Sequence, residues 1–198
     1  MDPTLQYYQH HAVEFVDQTQ SVDMQALYKT FLGELSDSGS ILDIGCGSGR
    51  DAQHFHQLGF EVMAFDGSEA IVALAAQRSA FPVLHATFLD FTTDQRFDGM
   101  WACASLLHVP LAEQITTLSH LATFLKSGGV FYASYKLGDG ETHKNGRFFC
   151  NVDADSFEQI ISTIPELEIV KHWITGDQRP GRASEQWFNV LLKKVGPA

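Results

Sequence analysis

The chain has 198 residues, of which 44% are hydrophobic and 19% charged, a balance typical of one folded domain and too apolar for disorder. It contains no run of 18 apolar residues and begins without the basic and apolar segments of a secretory signal, which argues against a membrane-spanning helix and against secretion. Its cysteines, Cys46, Cys103 and Cys150, are far apart and odd in number, which excludes a disulfide scaffold and predicts a reducing cytoplasm.

Charge is divided unevenly along the chain. Residues 1–125 contain 4 Lys or Arg and 15 Asp or Glu, whereas residues 126–198 contain nine of each, so the net charge of −11 lies in the first two thirds. A protein that follows a phosphate backbone needs a basic face, and most of this chain would repel one. We therefore expect a small-molecule partner rather than nucleic acid, and a monomer or homodimer.

The first two thirds of the chain predict helices followed by alternating strands and helices. Tyr28, Phe31, Leu32 and Leu35 share one face of the second helix. The predicted helices are 5–19, 22–36, 49–58, 69–79 with Ser68 as N-cap, and one that begins at Pro110, and the predicted strands are 41–44, 61–65, 81–86, 97–104 and 130–135. This alternation is typical of βαβ units and predicts a doubly wound, mostly parallel α/β sheet.

The last third has a different pattern. Residues 136–147 are predicted to form a polar loop, and 153–164 a helix with an apolar face. Two final strands, 167–174 and 185–194, are joined by a loop that contains Arg179-Pro180-Gly181-Arg182. They predict an antiparallel hairpin at the edge of a seven-stranded, Rossmann-like sheet in a single domain.

A glycine-rich turn stands where the first strand becomes a helix. Gly45, Gly47 and Gly49 alternate with other residues there, and Asp66 ends the next strand 21 positions after Gly45. Such a turn lets a ligand approach the backbone and a helix N-terminus, and an acid at the second strand accepts both hydroxyls of a ribose. A turn that merely needs positive φ would require one glycine rather than three. The spacing departs from the G-x-G-x-x-G of dinucleotide sites, because Arg50 takes the place of the last glycine.

With Asp43 two positions before the first glycine, the turn resembles D-x-G-x-G-x-G, the first motif of class I S-adenosylmethionine-dependent methyltransferases. The resemblance covers about residues 41–135 in the family's order. It continues in Phe65-Asp66-Gly67-Ser68, Phe88-Leu89-Asp90-Phe91, Phe97-Asp98-Gly99-Met100-Trp101 and Leu125-Lys126-Ser127-Gly128-Gly129-Val130. The segment GCGSGRDAQHFHQLGFEVMAFDGS is most similar to small bacterial methyltransferases related to tellurite-resistance enzymes.

The resemblance implies S-adenosyl-L-methionine as cofactor and S-adenosyl-L-homocysteine as product. Asp66 would hold the ribose hydroxyls, Asp90 would accept the adenine amino group, and Phe91 would pack on the adenine ring. Arg50 either joins them or forms a local salt bridge. The implied cofactor-binding residues are Asp43, Gly45, Cys46, Gly47, Arg50, Asp66, Gly67, Ser68, Asp90 and Phe91.

The resemblance also divides the chain into an N-terminal helical lid (1–38), a cofactor-binding core (39–135) and an acceptor side (136–198). His108 follows the fourth strand, where the family's methyl acceptor usually lies. It is interpreted either as a general base, which a pKa near 6.5 would suit, or as a residue that holds the loop. Tyr8 in the lid either closes over the sulfonium by cation–π attraction or packs within its helix.

Basic residues in the last third are candidates for binding the acceptor. Arg147, Arg179 and Arg182 carry guanidinium groups that bind oxyanions, which predicts a small, anionic acceptor. The alternative is that they form surface pairs with nearby acids. The other histidines lack carboxylate or cysteine partners at ligand spacing, so no metal site is expected.

Methyl transfer from a sulfonium is an in-line displacement that depends mainly on alignment and on exclusion of water. The sequence therefore predicts a methyltransferase acting on a small molecule. Three alternatives stay open at this stage: a nicotinamide-dependent oxidoreductase, a non-catalytic S-adenosylmethionine-binding regulatory protein, and methylation of RNA or protein.

Overall fold

The computed structural model describes residues 2–179, 182 and 184–196. The helices are α1 Pro3–His10, α2 Ala12–Thr19, α3 Gln25–Leu32, α4 Arg50–Gln57, α5 Glu69–Ala76, α6 Leu111–Ala122 and α7 Ala154–Ile161, and a 3₁₀ turn covers Leu106–His108. The strands are β1 Ser40–Ile44, β2 Glu61–Asp66, β3 Val83–His85, β4 Phe97–Ala102, β5 Leu125–Lys136, β6 Gly140–Lys144, β7 Arg147–Asn151, β8 Leu167–Gly176 and β9 Gln186–Lys194.

Seven of these strands form one sheet in the order β3-β2-β1-β4-β5-β9-β8. The first five are parallel, and β9 runs antiparallel to both β5 and β8. The predicted fold class, including the C-terminal antiparallel hairpin, is therefore confirmed. The strand order reverses between β1 and β4, and ligands of open α/β sheets bind at such a switch point.

The sheet is covered on both faces, as the near-continuous apolar strands predict. Ile41 of β1 packs among residues of α3 and α4, whereas Leu42 and Ile44 pack among residues of α6 and α7. In the centre, the rings of Trp101 and Tyr132 stack with centroids 4.0 Å apart. This rigid core holds the carboxyl ends of β1, β2 and β4 side by side at one edge of the sheet.

The predicted helix 5–19 is two helices in the structure. His11 interrupts this helix with φ −114° and ψ 22°, and it is both the C-cap of α1 and the N-cap of α2. Asp2 caps α1, because its side chain accepts hydrogen bonds from the backbone N–H groups of Thr4 and Leu5. The break lets α1 turn toward the end of the sheet where the site lies.

The prediction of a polar loop at 136–147 is wrong. Residues 140–151 form the antiparallel hairpin β6–β7, in which Lys144 pairs with Arg147. Asn145 and Gly146 form its two-residue turn, with φ 53° and 76°, the positive values that a type I′ turn requires. The first strand has almost no buried side chain, so it lacks the hydrophobic alternation that usually identifies a strand. The Asn145-Gly146 pair is the sequence feature that indicates a hairpin here.

The loop between β8 and β9 is described only in part. Arg179 and Arg182 lie in the part of the chain that the structure describes, whereas the predicted loop residues Pro180 and Gly181 lie outside it. Within the described residues, no helix is long and apolar enough to cross a membrane.

Candidate active site

The glycine turn after β1 has the backbone conformation that its sequence predicts. Gly45, Gly47 and Gly49 have φ values of 68°, 54° and 74°, all in the left-handed region. At Gly45 a Cβ atom would lie 2.5 Å from Cβ of Ser105, closer than two non-bonded carbon atoms can approach. Conformation and crowding both exclude a side chain there, because Ser105 fills the position that a Cβ would take.

Asp66 is fixed beside this turn by backbone donors. Its Oδ2 accepts from the N–H of Gly47 at 3.0 Å, and its Oδ1 accepts from the N–H of Ser68 at 2.9 Å. Burial raises the pKa of Asp66 above its usual range, against the opposing effect of these hydrogen bonds. The carboxylate is thereby oriented at the end of β2, with lone pairs left to accept further hydrogen bonds.

Two more acids, Asp43 and Asp51, stabilise the glycine turn and the start of α4. Asp43 accepts from the N–H of Ala52 at 3.1 Å, which anchors the first turn of α4, and burial together with Asp51 raises its pKa well above the usual value. Burial also acts to raise the pKa of Asp51, but Arg50, Tyr28 and Trp101 all donate to it and hold that pKa below the usual value. These acids position the turn.

The guanidinium of Arg50 forms the local salt bridge that the sequence left as an alternative. Its Nε and Nη2 donate to the Asp51 carboxylate at 2.6 and 3.0 Å, and its Nη1 donates to the carbonyl oxygen of Thr19 at 3.0 Å. These bonds tie the end of α2 to the start of α4. The predicted contact between Arg50 and a cofactor stays a prediction.

Phe91 does not line the cavity, and its predicted contact with adenine stays a prediction. Its ring is buried in the core, stacked on Phe65 at a centroid distance of 4.3 Å and edge-on to Phe124. The apolar residues that reach the cavity from this segment are Phe88 and Leu89. The side chains of neighbouring residues in this segment therefore point in different directions.

Asp90 lies on the exposed side of the same segment, where its Oδ2 accepts from Oγ1 of Thr87 at 2.6 Å. The predicted contact between Asp90 and the adenine amino group stays a prediction.

His108 is hydrogen-bonded through both ring nitrogens. Its Nδ1 lies 2.6 Å from the carbonyl oxygen of Phe148 on β7, and its Nε2 lies 2.9 Å from the hydroxyl oxygen of Tyr8 on α1. A carbonyl only accepts, so Nδ1 carries the proton, and the bare Nε2 accepts from Tyr8. The pair consists of a neutral imidazole and a phenol that donates to it.

Burial governs the protonation of this pair. It lowers the pKa of His108 to about 4, and the nearby Arg147 charge acts in the same direction. Burial likewise raises the pKa of Tyr8, although Arg147 opposes that change. Without a ligand, His108 is therefore neutral at physiological pH.

Most basic side chains of the last third are paired with acids. Arg179 forms a two-point pair with Asp177. Glu185 accepts from Lys136 and also faces two further cations at about 4 Å. These are Lys144, at 3.8 Å, and Arg182, at 3.9 Å.

Arg147 differs from these residues. Among the described residues no carboxylate lies within salt-bridge distance of its guanidinium, and its buried Nε has no hydrogen-bond partner. Its guanidinium lies against aromatic rings instead, with Cζ 4.4 Å from the ring centroid of Tyr7 and 5.3 Å from that of Phe149. Arg147 is therefore a cation with hydrogen-bonding capacity left for a ligand.

One cavity of about 790 Å³ connects the residues of the glycine turn and Asp66 with those around His108 and Arg147. Its described lining includes most of the predicted site residues and leaves out Ser68, Asp90 and Phe91. The predicted residues that line it are Tyr8, Asp43, Gly45, Cys46, Gly47, Arg50, Asp66, Gly67, His108, Arg147, Arg179 and Arg182. Residues that the sequence reasoning missed include Ser105, whose hydroxyl donates to the carbonyl of Ile44 at 2.6 Å, and Phe149, which follows the unrecognised Asn-Gly turn.

The comparisons agree with this geometry. Residues 41–129 match the family model described as a methyltransferase domain. That segment contains the glycine turn and Asp66. The match over this segment supports an S-adenosylmethionine-dependent methyltransferase. The nicotinamide alternative is thereby set aside.

Curated relatives and a solved structure resemble this chain. An uncharacterized methyltransferase of Alkaliphilus oremlandii is 25% identical over 124 residues, and the match spans 59% of this chain and 57% of that protein. Another, from Staphylococcus carnosus, is 25% identical over 150 residues, which cover 71% of this chain and 72% of that protein. The crystal structure of Burkholderia thailandensis 1,6-didemethyltoxoflavin-N1-methyltransferase superposes with a TM-score of 0.79 at 20% identity, covering 96% of this chain and 85% of that one. At that identity, the likeness establishes the fold.

The residues that line the cavity near the glycine turn fit S-adenosylmethionine. Gly45 and Gly47 line the cavity near the N-terminus of α4, where the methionine portion would lie, and Asp66 offers a carboxylate to the ribose hydroxyls. Phe88, whose ring lies 3.6 Å from the position of a Cβ on Gly45, and Leu89 provide the apolar wall that the adenine requires.

Proposed function

We propose that this chain transfers the methyl group of S-adenosylmethionine to a small, negatively charged acceptor that binds between α1 and the β6–β7 hairpin. One observation carries the choice of acceptor. Among the described residues after position 125, five cations and two acids line the cavity, although the whole chain has a net charge of −11. Concentrating positive charge at one end of an acidic protein favours an anion there.

Arg147 is the residue proposed to bind that anion. Its guanidinium has no carboxylate partner among the described residues and is held flat against aromatic rings, so a planar oxyanion can bind it through two hydrogen bonds. Arg179 and Arg182 are paired with Asp177 and Glu185, and we propose that they contribute charge at the rim rather than direct contacts.

The N-terminal helix forms the cover of this site, as the proposed division into lid, core and acceptor side implies. Oγ1 of Thr4 accepts from the N–H of Phe148 at 3.0 Å, and the side chain of Gln9 accepts from Ser68 and Ala70 at 3.1 Å. Helix α1 therefore bridges the hairpin and the start of α5. Such a cover holds the acceptor in line and excludes water, and positioning of this kind supplies most of the rate of a displacement reaction.

Bound S-adenosylmethionine supplies an electrophilic methyl group with a neutral sulfide as leaving group. The chain contributes the backbone of the glycine turn and Asp66 at one end of the cavity, and Arg147, Tyr8 and His108 at the other. The Burkholderia neighbour was crystallised with 1,6-didemethyltoxoflavin and S-adenosylhomocysteine, and we propose that this cavity likewise holds a small molecule beside its cofactor. Membership of the tellurite-resistance-related group stays a prediction.

The proposal is tested by measuring S-adenosylhomocysteine formation from S-adenosylmethionine with matched acceptors. The panel contains phenolic and N-heteroaromatic carboxylates, their neutral carboxamides, and selenite and tellurite. We expect at least tenfold higher kcat/KM with carboxylates than with the matched amides, since charge-assisted hydrogen bonds are worth about 1.5–3 kcal/mol. Equal turnover of acids and amides, or a preference for RNA or protein, would contradict the anionic acceptor. Tight binding of S-adenosylmethionine without product from any acceptor would favour the regulatory alternative.

A further inference from the structure

Tyr8, His108 and the carbonyl of Phe148 form a hydrogen-bonded chain that ends in the cavity. Its members come from α1, the 3₁₀ turn and β7, and the two bonds measure 2.9 Å and 2.6 Å. Tyr8 and His108 both line the cavity. Because both imidazole nitrogens are already bonded, His108 cannot accept a proton from an acceptor directly without breaking a bond. The Tyr8 hydroxyl donates to His108, and its oxygen, which also faces the guanidinium of Arg147, is the acceptor of this chain that lies in the cavity.

We propose, on the basis of the function proposed above, that the acceptor is methylated at an oxygen or nitrogen that carries a proton, and that Tyr8 takes this proton while passing its own to His108. The bond from sulfur to the methyl carbon breaks as the bond from the acceptor atom to that carbon forms. The acceptor proton moves to the Tyr8 oxygen, and the Tyr8 proton moves to Nε2 of His108. His108 ends as an imidazolium that still donates through Nδ1 to Phe148. Tyr8 is the catalytic residue, and His108 acts through it.

The charges around the chain favour this transfer once an anion is bound. The charged groups that face His108 are Arg147 on β7, which opposes its protonation, and Asp2 at the start of α1, which favours it. An anionic acceptor on Arg147 neutralises the opposing charge. In addition, the positive charge of the sulfonium is lost in the step in which His108 becomes positive, so the net charge of the site does not change. Binding of the anion and acceptance of the proton are thereby coupled.

A purely structural role for the Tyr8–His108 bond would be to hold α1 in place. Other bonds already do so, because Thr4 accepts from Phe148 and Gln9 accepts from Ser68 and Ala70. We therefore expect that removing the Tyr8 hydroxyl leaves the lid attached. Its ring still packs edge-on against Phe15 at 5.0 Å.

The first arm of the test needs no acceptor. Nitrogen NMR of the histidine-labelled full chain, with S-adenosylhomocysteine bound, reports which nitrogen of His108 carries the proton. We expect the proton on Nδ1 and a bare, hydrogen-bonded Nε2 at neutral pH. Tyr8→Phe should change the Nε2 signal and leave Nδ1 protonated, whereas the neighbouring control Tyr7→Phe should change neither. A proton on Nε2, or an Nε2 signal unaffected by Tyr8→Phe, overturns the proposal.

The second arm uses the acceptor panel described above. Tyr8→Phe and His108→Asn, which keeps a donor for Phe148, should each lower kcat about 100-fold or more and flatten its pH profile, with an unchanged Kd for S-adenosylhomocysteine. His10→Asn, at an exposed position of α1 that does not line the cavity, should retain kcat within about twofold. Unchanged kcat in Tyr8→Phe, or turnover only of acceptors without an exchangeable proton, overturns the proton relay. Loss of S-adenosylhomocysteine binding in the wild type would instead contradict the proposed function.

Discussion

The two ends of the cavity are built in different ways. At the cofactor end, the functional groups are the backbone of the glycine turn and Asp66, which is held by the backbone N–H groups of Gly47 and Ser68. At the acceptor end, residues from distant parts of the chain meet. The Tyr8–His108 hydrogen bond joins residues 100 positions apart in sequence, and the Phe148–Thr4 hydrogen bond joins residues 144 positions apart. The first end is defined by local sequence, and the second by tertiary packing.

The largest expected effect is at the cofactor end. Gly45→Ala places a Cβ 2.5 Å from Ser105 on a residue with φ 68°. We expect affinity for S-adenosylmethionine to fall on the order of 100-fold, about 2.7 kcal/mol, in isothermal titration. Gly59→Ala is the matched control, since Gly59 also has positive φ (95°) but no atom within 4 Å of the added Cβ. Equal losses of affinity in both variants would mean that the turn matters only for folding.

The sequence predicts most of the cofactor end for a physical reason. A strand, a glycine turn and a helix are adjacent along the chain, so their geometry follows from spacing, and Asp66 follows from the register of β1 with β2. The motif around Phe88 and Phe91 does not specify which of the two aromatic side chains faces the cavity, and in the structure it is Phe88. The hairpin that presents Arg147 was missed because its exposed first strand has no hydrophobic alternation. The hydrogen bond between Tyr8 and His108 depends on packing that no local pattern encodes.

The acceptor end should show its own dependence on pH. Folded His108 has a pKa lowered to about 4, so between that value and about 6.5 the unfolded chain binds a proton that the folded chain does not. Its contribution to stability is therefore complete above pH 6.5 and is lost as the pH falls toward 4. We expect the wild type to lose about 2 kcal/mol more than His108→Asn between pH 7.5 and 5, measured by urea unfolding. Parallel pH profiles for the two proteins would show that His108 is not held neutral by the fold.

Substitution of Arg147 should affect binding of the acceptor without affecting binding of the cofactor. Arg147→Met removes the charge but keeps an unbranched side chain, and we expect the KM for a carboxylate acceptor to rise about tenfold while the Kd for S-adenosylmethionine stays the same. Arg182→Met, which removes a cation already facing Glu185, should raise that KM less than threefold. A larger effect at Arg182 than at Arg147 would place the anion at the rim.

The smallest expected effect concerns the turn that carries Arg147. Gly146→Ala introduces a side chain at φ 76° in the type I′ turn and should destabilise the hairpin by about 1 kcal/mol. Because β7 presents Arg147 and Phe149, we expect a higher KM for the acceptor and an unchanged cofactor Kd. Gly128→Ala, with φ 77° and no atom within 4 Å of the added Cβ, carries the same strain outside the hairpin and is the control. A changed cofactor Kd in Gly146→Ala would show that the two ends are not independent.

The central claim is that one cavity has a cofactor end defined by Asp66 and a separate acceptor end defined by Tyr8 and His108. Isothermal titration of S-adenosylhomocysteine into the wild type, Asp66→Asn and His108→Asn tests it directly. We predict one binding site in the wild type, a Kd raised about tenfold or more in Asp66→Asn, and a Kd within about twofold of the wild type in His108→Asn. Absence of binding in the wild type, or equal losses in the two variants, would contradict the account.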